Sequence, residues 1–449
     1  MRALRKGLLL LCLTGSLAAA ATAPAGASEP FFPQAGNGGY EVHDYSVRIA
    51  YRGDGSIRAS TALQALTHRR LARFTLDFVG PDVRGVRVNG AAAGWRRRGG
   101  KLAIEPASPV AKGTVLAATI RYDGTPPKVI DPDGTEEGWY RTDDGVIAIG
   151  EPQGTAAWIP CNNVPADKAS FEFEVTVPRG LKAVANGRLR RVERVGGRTR
   201  FTWEEEALMS PYLALLGIGR GRLIRGEVGD LPTWTLIDPR MEPGSRRVLA
   251  ALPEIVRFQA RLFGGYPFDS AGSIVDFAPG LGYALESQSR PIYAFVPDRT
   301  TVVHETAHQW FGDSVGLERW PQIWLNEGLA TWVEWYYAEL HGGPSAAALF
   351  RELLRTPASK KTFWNPPPGR PGSAKGLFRP SIYVRGGMAL QALREKIGTT
   401  ALLRILRRWA VDHRFASATI EEFAGLAEEV SGRELDPFFH RWLFRRGKP

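Results

Sequence analysis

Cysteine is scarce in this chain, with 2 in 449 residues, at Cys12 and Cys161. That excludes a small scaffold held together by disulfides. Histidine is also sparse, at 7, so any pair recurring at a metal-ligand spacing is informative. Beyond the N-terminal segment no run reaches the roughly 18 apolar residues that span a bilayer, so no stable membrane insertion is expected. No internal repeat of about 20–50 residues is visible. The chain is basic, with Lys+Arg 58 against Asp+Glu 46 and a net charge of +12. The positive groups are scattered, as in Arg96-Arg97-Arg98 and Arg445-Arg446, and no nucleic-acid-binding module accompanies them, so no nucleic-acid partner is expected. Hydrophobic residues at 44% and charged residues at 23% exclude a disordered or collagen-like chain.

What is present begins with a targeting segment. Met1 to Ala27 has the order of a signal peptide. Arg2, Arg5 and Lys6 form a positive start, Leu8 to Leu13 open an apolar core, and Ala25-Gly26-Ala27 offers a small-x-small cleavage site before Ser28. Ala21-Thr22-Ala23 is a second possible site. Cys12 follows Leu11, whereas a lipoprotein signal needs a small residue there, so no lipid anchor is expected. The expectation is a secreted chain, with Cys161 left alone and no intrachain disulfide.

From about Gly39 to Arg225 apolar and polar residues alternate, as in Tyr40 to Tyr51, Arg73 to Val79, Val115 to Tyr122 and Ser170 to Val177. Asn89-Gly90 and Asn186-Gly187 mark turns. After Asp230 the period becomes helical. Helices are expected over Ser245 to Phe263 and at about 300–314, 327–341, 345–355, 383–397, 400–412 and 419–430, with a long Pro- and Gly-rich loop over 357–380. The expected division is a signal peptide at 1–27, an antiparallel β-rich domain at 28–230 and a mostly helical catalytic domain at 231–449, an α+β fold.

The helical region carries His304-Glu305-Thr306-Ala307-His308, an H-E-x-x-H motif. Two histidines four apart on a helix lie about 40° apart around its axis and one turn up, so both imidazoles reach one ion. The glutamate after the first ligand is placed as a general base, the arrangement of zinc hydrolases. A catalytic zinc takes three protein ligands and leaves a position open. Glu327, in Trp324-Leu325-Asn326-Glu327-Gly328, supplies a carboxylate eighteen intervening residues after His308.

The block from Val303 to Trp332, VHETAHQWFGDSVGLERWPQIWLNEGLATW, resembles the core of the aminopeptidase N-like zinc peptidases, the gluzincin family that includes leukotriene hydrolase. The resemblance implies a thermolysin-like catalytic domain with one Zn2+, His304, His308 and Glu327 as its ligands and Glu305 as the base. Gly282 to Arg290, GYALESQSR, resembles the family's G-A-M-E-N segment, which makes Glu286 the residue that holds the substrate's free α-amine. Tyr283, Leu285 and Ser287 depart from that pattern. Ser381 to Leu390, SIYVRGGMAL, resembles the Y-x-K-G segment, with Arg385 in place of lysine and Tyr383 as donor to the oxyanion. Glu151-Pro152-Gln153 and Pro160 to Phe171 resemble a further run in which Pro165, Lys168, Ala169 and Phe171 match and Asn162, Asn163 and Val164 do not. There Glu151 would assist at the amine and Cys161 would pack. Even Tyr40 to Tyr51 resembles the family's first strands. The run Leu435 to Phe444 looks like the end of its catalytic domain, so the roofing helical domain of long members is not expected and the cleft should be more open.

The resemblance therefore implies a secreted zinc aminopeptidase acting on peptides with a free N-terminal amine. Two other readings use the same residues. A secreted endopeptidase would share the zinc site but need no amine anchor, and a non-catalytic binding homologue would keep the fold without turnover. An epoxide hydrolase side activity like that of leukotriene hydrolase has no feature of its own here.

Overall fold

The computed structural model describes residues 29–449. The expected signal peptide, its cleavage site and Cys12 lie outside the described residues. No helix among those described is long and apolar enough to cross a membrane.

The first domain is built on an eight-stranded sheet whose order is Arg188–Val195, Arg198–Met209, Ala169–Val177, Tyr40–Tyr51, Ile57–Thr67, Val115–Gly124, Asp82–Val88 and Ala91–Ala92. Alternation decides which face is buried. Tyr45, Val47, Ile49 and Tyr51 point inward and Ser46 and Arg48 outward, as period two requires. Pairing is antiparallel except where Tyr40–Tyr51 meets Ala169–Val177 in parallel register, Tyr45 opposite Phe171 and Val47 opposite Phe173. These strands lie far apart in the chain, so no hairpin constrains their direction. A second, five-stranded sheet includes the hairpin Glu136–Arg141 and Val146–Ile149. Cys161 is unpaired and buried, as expected of a packing residue, and burial pushes its thiol well above the usual range.

The second domain contains a sheet that the helical reading missed. Arg222–Val228, Leu231–Ile237, Ala271–Val275, Ile292–Tyr293 and Ala284–Leu285 form five strands. The first two pair as a hairpin from Arg222 opposite Ile237 to Val228 opposite Leu231. The expected boundary at 230/231 falls in the turn of that hairpin, whose second strand pairs with Ala271–Val275. Short strands such as Ile292–Tyr293, with two residues each, carry no readable period.

Ten helices among the described residues complete the domain. The expected helix over 245–263 is two, α1 (Glu242–Leu249) and α2 (Leu252–Phe263), because Pro253 starts a new first turn. Then follow α3 (Arg299–His308), α4 (Trp324–Leu340), α5 (Ala346–Leu354), α6 (Lys361–Trp364), α7 (Pro380–Ile397), α8 (Thr399–Asp412), α9 (Ile420–Ser431) and α10 (Asp436–Phe439). α6 interrupts the expected 357–380 loop. α4 is apolar nearly all round, with Trp324, Leu325, Leu329, Ala330, Trp332 and Val333 buried, as befits a central helix.

Candidate active site

α3 opens on Asp298, whose carboxylate accepts from the Thr301 amide at 2.7 Å and fixes the helix start. It ends at His308, short of the expected 314. The chain then turns at Gly312, where φ is +133° and a Cβ would stand 3.0 Å from Asn326 Nδ2 and 3.3 Å from His308 Nδ1. A side chain there would push the helix end away from α4, so the turn requires glycine.

α4 and α7 cross at two glycines. A Cβ on Gly386 would lie 2.9 Å from Gly328 Cα, and one on Gly328 would lie 3.2 Å from Gly386 Cα. This contact sets Glu327, next to Gly328, beside Tyr383, one turn before Gly386. Arg385 on the same turn is fully buried and donates to the carbonyls of Trp442 (2.9 Å), Trp364 (2.6 Å), Gly447 (2.8 Å), Arg441 (3.1 Å) and Arg445 (2.6 Å). Where the family pattern has lysine, a guanidinium here ties α6 and the C-terminal segment to α7. The three donors of an ammonium would leave some of those carbonyls unpaired.

The three expected ligands come together. Nε2 of His304 and Nε2 of His308 are 3.0 Å apart, and Glu327 Oε2 lies 3.3 Å from the first and 3.4 Å from the second. Tetrahedral zinc with bonds of about 2.0–2.1 Å places its ligands about 3.3 Å from one another. Two imidazole nitrogens facing each other with a carboxylate oxygen at the same spacing suit one shared cation and fit zinc. Glu327 is 3% exposed, and a carboxylate that deep needs a positive partner. Burial raises its pKa, but the two imidazoles outweigh that and hold it down to about 2.

Each histidine is held through its other nitrogen. His308 Nδ1 lies 3.1 Å from the Phe311 carbonyl, and His304 Nδ1 is hydrogen-bonded to Glu334 Oε1. The sequence reading missed Glu334. Its signal was its spacing, seven residues after Glu327, which returns to the same helix face after two turns.

Glu305, Glu286 and His308 offer ligand atoms that all lie within 4.8 Å of one another. Burial pushes the Glu305 carboxyl up to about 8, with the two imidazoles lowering it and Glu286 and Glu327 raising it. Burial likewise raises Glu286, and it raises Glu151 well above the ordinary range with the negative charges of Glu286, Glu327, Glu137 and Glu305 adding to it. Glu286 Oε1 and Glu151 Oε1 are buried without a hydrogen-bond partner. His308 is raised to about 9: burial opposes its charge, but Glu286 and Glu327 outweigh that. The Tyr383 ring stacks 6.2 Å from the His304 ring, and burial and the surrounding carboxylates keep its phenol protonated.

Supporting contacts explain how these groups are held. Gln309 donates from Nε2 to the Glu286 carbonyl at 2.9 Å and accepts from the Ser289 amide at 2.7 Å, pinning the 282–290 segment to the end of α3. The Glu137 carboxylate accepts from the amides of Gln153 (3.1 Å) and Gly154 (2.9 Å), which fixes the loop that carries Glu151. Tyr283, where the family pattern has a small residue, donates its hydroxyl to the Glu136 carbonyl at 2.6 Å and so joins the two domains. Lys168 Nζ donates to the carbonyls of Asp313 (2.8 Å) and Ser314 (2.9 Å) just past α3. Ser287 is buried with its hydroxyl unpartnered.

Comparison with known proteins agrees with this geometry. The Peptidase family M1 domain matches residues 296–442 and the Peptidase M1 N-terminal domain matches residues 97–213. The chain is 26% identical over 339 residues to a leucyl aminopeptidase of Saccharolobus solfataricus, covering 68% of this chain and 42% of that protein. It is 25% identical over 317 residues to a probable aminopeptidase 2 of Sulfurisphaera tokodaii, covering 65% and 40%. The chain thus spans about two-fifths of the length of these curated relatives. The crystal structure of an M1 zinc metallopeptidase from Deinococcus radiodurans superposes with a TM-score of 0.85 at 26% identity, covering 94% of this chain and 97% of that one. A mutant of the Deinococcus radiodurans peptidase bound to a Tyr-Ser-Ala substrate superposes with a TM-score of 0.86 at 25% identity, covering 94% and 98%.

Proposed function

This chain belongs to the M1 zinc metallopeptidase family, and on that premise we propose that it is a secreted aminopeptidase that hydrolyses the N-terminal bond of peptides. The observation that carries the proposal is the pair of buried, unpartnered carboxylate oxygens on Glu151 and Glu286 beside Glu305. A protonated N-terminus set between them supplies the charge that burial otherwise makes costly.

His304, His308 and Glu327 would hold the zinc ion, with Glu334 orienting His304. When bound, zinc supplies Lewis acidity that polarises a carbonyl and lowers the pKa of water. Glu286 and Glu151 bind the α-ammonium and so set the scissile bond one residue in. Glu305 takes the proton from the attacking water and delivers it to the leaving amine nitrogen. Burial pushes the Glu305 carboxyl up to about 8, and with a cation held by the neighbouring ligands its carboxylate would be available as a base near neutrality. Tyr383 keeps its phenolic proton and donates it in a hydrogen bond to the oxygen where negative charge develops.

Secretion rests on the charged, apolar and small-residue order of Met1 to Ala27. The proposal is tested with fluorogenic amides of free and N-acetylated amino acids, with and without a chelator. Chelator-sensitive cleavage of the free series alone is expected, and equal cleavage of both series refutes the amine anchor. Export is tested by expressing the full chain and sequencing the N-terminus of the extracellular form, expected at Ser28.

A further inference from the structure

A second cluster of carboxylates lies where the two domains meet. Leu231–Ile237 and Ala271–Val275 run parallel with Ile237 opposite Val275, so they end level. The next residue of each is an aspartate, Asp238 and Asp276, and each is 5% exposed. Asp144, from the turn between Glu136–Arg141 and Val146–Ile149 of the first domain, reaches the same point. One carboxylate oxygen from each of the three lies within 4.8 Å of the other two. With Gly219, Gly221, Leu236 and Val275 they line a cavity of about 10 Å³, which is room for one water-sized particle.

The charges do not balance there. Arg240 pairs with Asp238 through Nε at 3.0 Å and Nη2 at 2.6 Å, and its Nη1 turns away to Asp143 at 2.6 Å. Among the described residues no lysine or arginine forms an ion pair with Asp144 or Asp276. Asp144 accepts from the Arg220 amide at 2.7 Å and from the Thr142 hydroxyl at 3.4 Å. Asp276 Oδ1 is buried and accepts nothing. Burial, Asp144 and Asp238 push the Asp276 carboxyl up to about 7, so near neutrality the position takes either a proton or a cation.

We propose that Asp144, Asp238 and Asp276 form a divalent-cation site of the calcium type that bridges the two domains. The donors are all hard oxygens with no imidazole or thiolate, which selects against zinc. Calcium tolerates the irregular geometry of carboxylates from three separate segments and completes its shell with water or carbonyls, whereas magnesium demands a near-ideal octahedron. A bound ion would tie the turn at Asp144 to the ends of two core strands. Val146–Ile149 leads from that turn to Glu151, so the ion would brace the base of the segment entering the candidate active site.

The test titrates CaCl2 into the zinc-loaded full chain, after dialysis against calcium-free buffer containing zinc, by calorimetry and thermal unfolding. MgCl2 and NaCl at matched ionic strength are the controls. One calcium site with a dissociation constant of about 0.1–1 mM is expected. At a hundredfold excess the unfolding temperature should rise by about 3–5 °C. Asp276→Asn should weaken binding more than tenfold. Because that residue is buried, Asp144→Asn in the half-exposed turn must do the same. Absence of calcium binding up to 10-fold above about 1 mM, or a calcium response no larger than the controls, overturns the proposal and leaves a shared proton as the occupant. Calcium binding retained in both variants also overturns it, by assigning the ion to another cluster.

Discussion

Glu334 offers the sharpest test of how the zinc ligands are held. Its Oε1 is hydrogen-bonded to Nδ1 of His304, and the partners are 20% and 13% exposed, so water shields the pair only in part. The contact fixes the ring with Nε2 toward the metal and raises the basicity of that nitrogen. Removing it altogether, in Glu334→Ala, loses a charge-assisted hydrogen bond of about 1.5–3 kcal/mol, and partial exposure favours the lower half of that range. The expected weakening of zinc affinity is about 10–100-fold. Glu334→Gln keeps an oxygen that accepts from Nδ1 and loses only the charge, so it should weaken zinc by about 3–10-fold. Affinity is read by competition with a chromogenic chelator, and turnover is measured separately at saturating zinc. If both folded variants keep the parent's affinity within about twofold, the orienting role assigned to Glu334 is wrong.

Glu305→Gln should retain zinc by metal analysis and lose about 10²–10⁴-fold in turnover, and near-parental kcat would remove the base from the mechanism. Tyr383→Phe should lower kcat by about 10²–10³-fold with little change in KM; a change confined to KM would make it a binding residue instead. Gly386→Ala brings a methyl to 2.9 Å from Gly328 Cα, and the forced separation of α4 and α7 should cost about 1–3 kcal/mol by denaturant unfolding, a loss that unchanged stability would contradict. Burial, assisted by Asp269, pushes Glu205 up to about 8. A raised carboxyl binds more protons folded than unfolded, so its contribution is full below about 4.5 and is lost as pH rises through about 8. Glu205→Gln should therefore flatten the fall in stability between pH 5 and 8 by about 3–4 kcal/mol, and an unaltered pH profile would refute that shift.

The parts of the site that were legible in the sequence are those whose spacing along one helix is itself the geometry. His304 and His308 are one turn apart, and the distance between their Nε2 atoms follows from the helix. Glu327 was expected as the third ligand that a catalytic zinc needs after the histidine pair, whereas Glu286, Glu151 and Tyr383 come from three other segments and their convergence was expected only through family resemblance. Nothing in their local pattern fixes the crossing of α4 and α7 at Gly328 and Gly386. The β-rich domain was legible because its strands are half-buried and alternate, as Tyr40–Tyr51 does. The sheet of the second domain was not, because Ala271–Val275 is buried on both faces and Ile292–Tyr293 is too short to show a period. The Arg222–Ile237 hairpin likewise looks like more of the first domain until its pairing to Ala271–Val275 is seen.

Charge links these separate segments into one device. Glu286 and Glu327 raise the pKa of Glu151 and of Glu305, Glu327 raises that of Glu286, and the imidazoles of His304 and His308 are fewer than these four carboxyls. Only Glu327 is pulled far down, because both imidazoles face it. Such a cluster favours positive charge in two places: at the three converging ligands, where a dication fits, and at Glu151 and Glu286, whose buried Oε1 atoms have no hydrogen-bond partner. Under the proposed function, the zinc ion meets the first demand and the substrate's own ammonium the second. A substrate lacking that ammonium, such as an acetylated peptide, must leave Glu151 or Glu286 protonated or unpaired. The discrimination against blocked peptides should therefore grow as pH rises and keeping those carboxyls protonated becomes progressively harder, up to the point where the amine itself loses its proton near pH 8. A ratio of free to blocked cleavage that stays flat from about pH 6 to 7.5 would mean that these carboxylates do not read the amine.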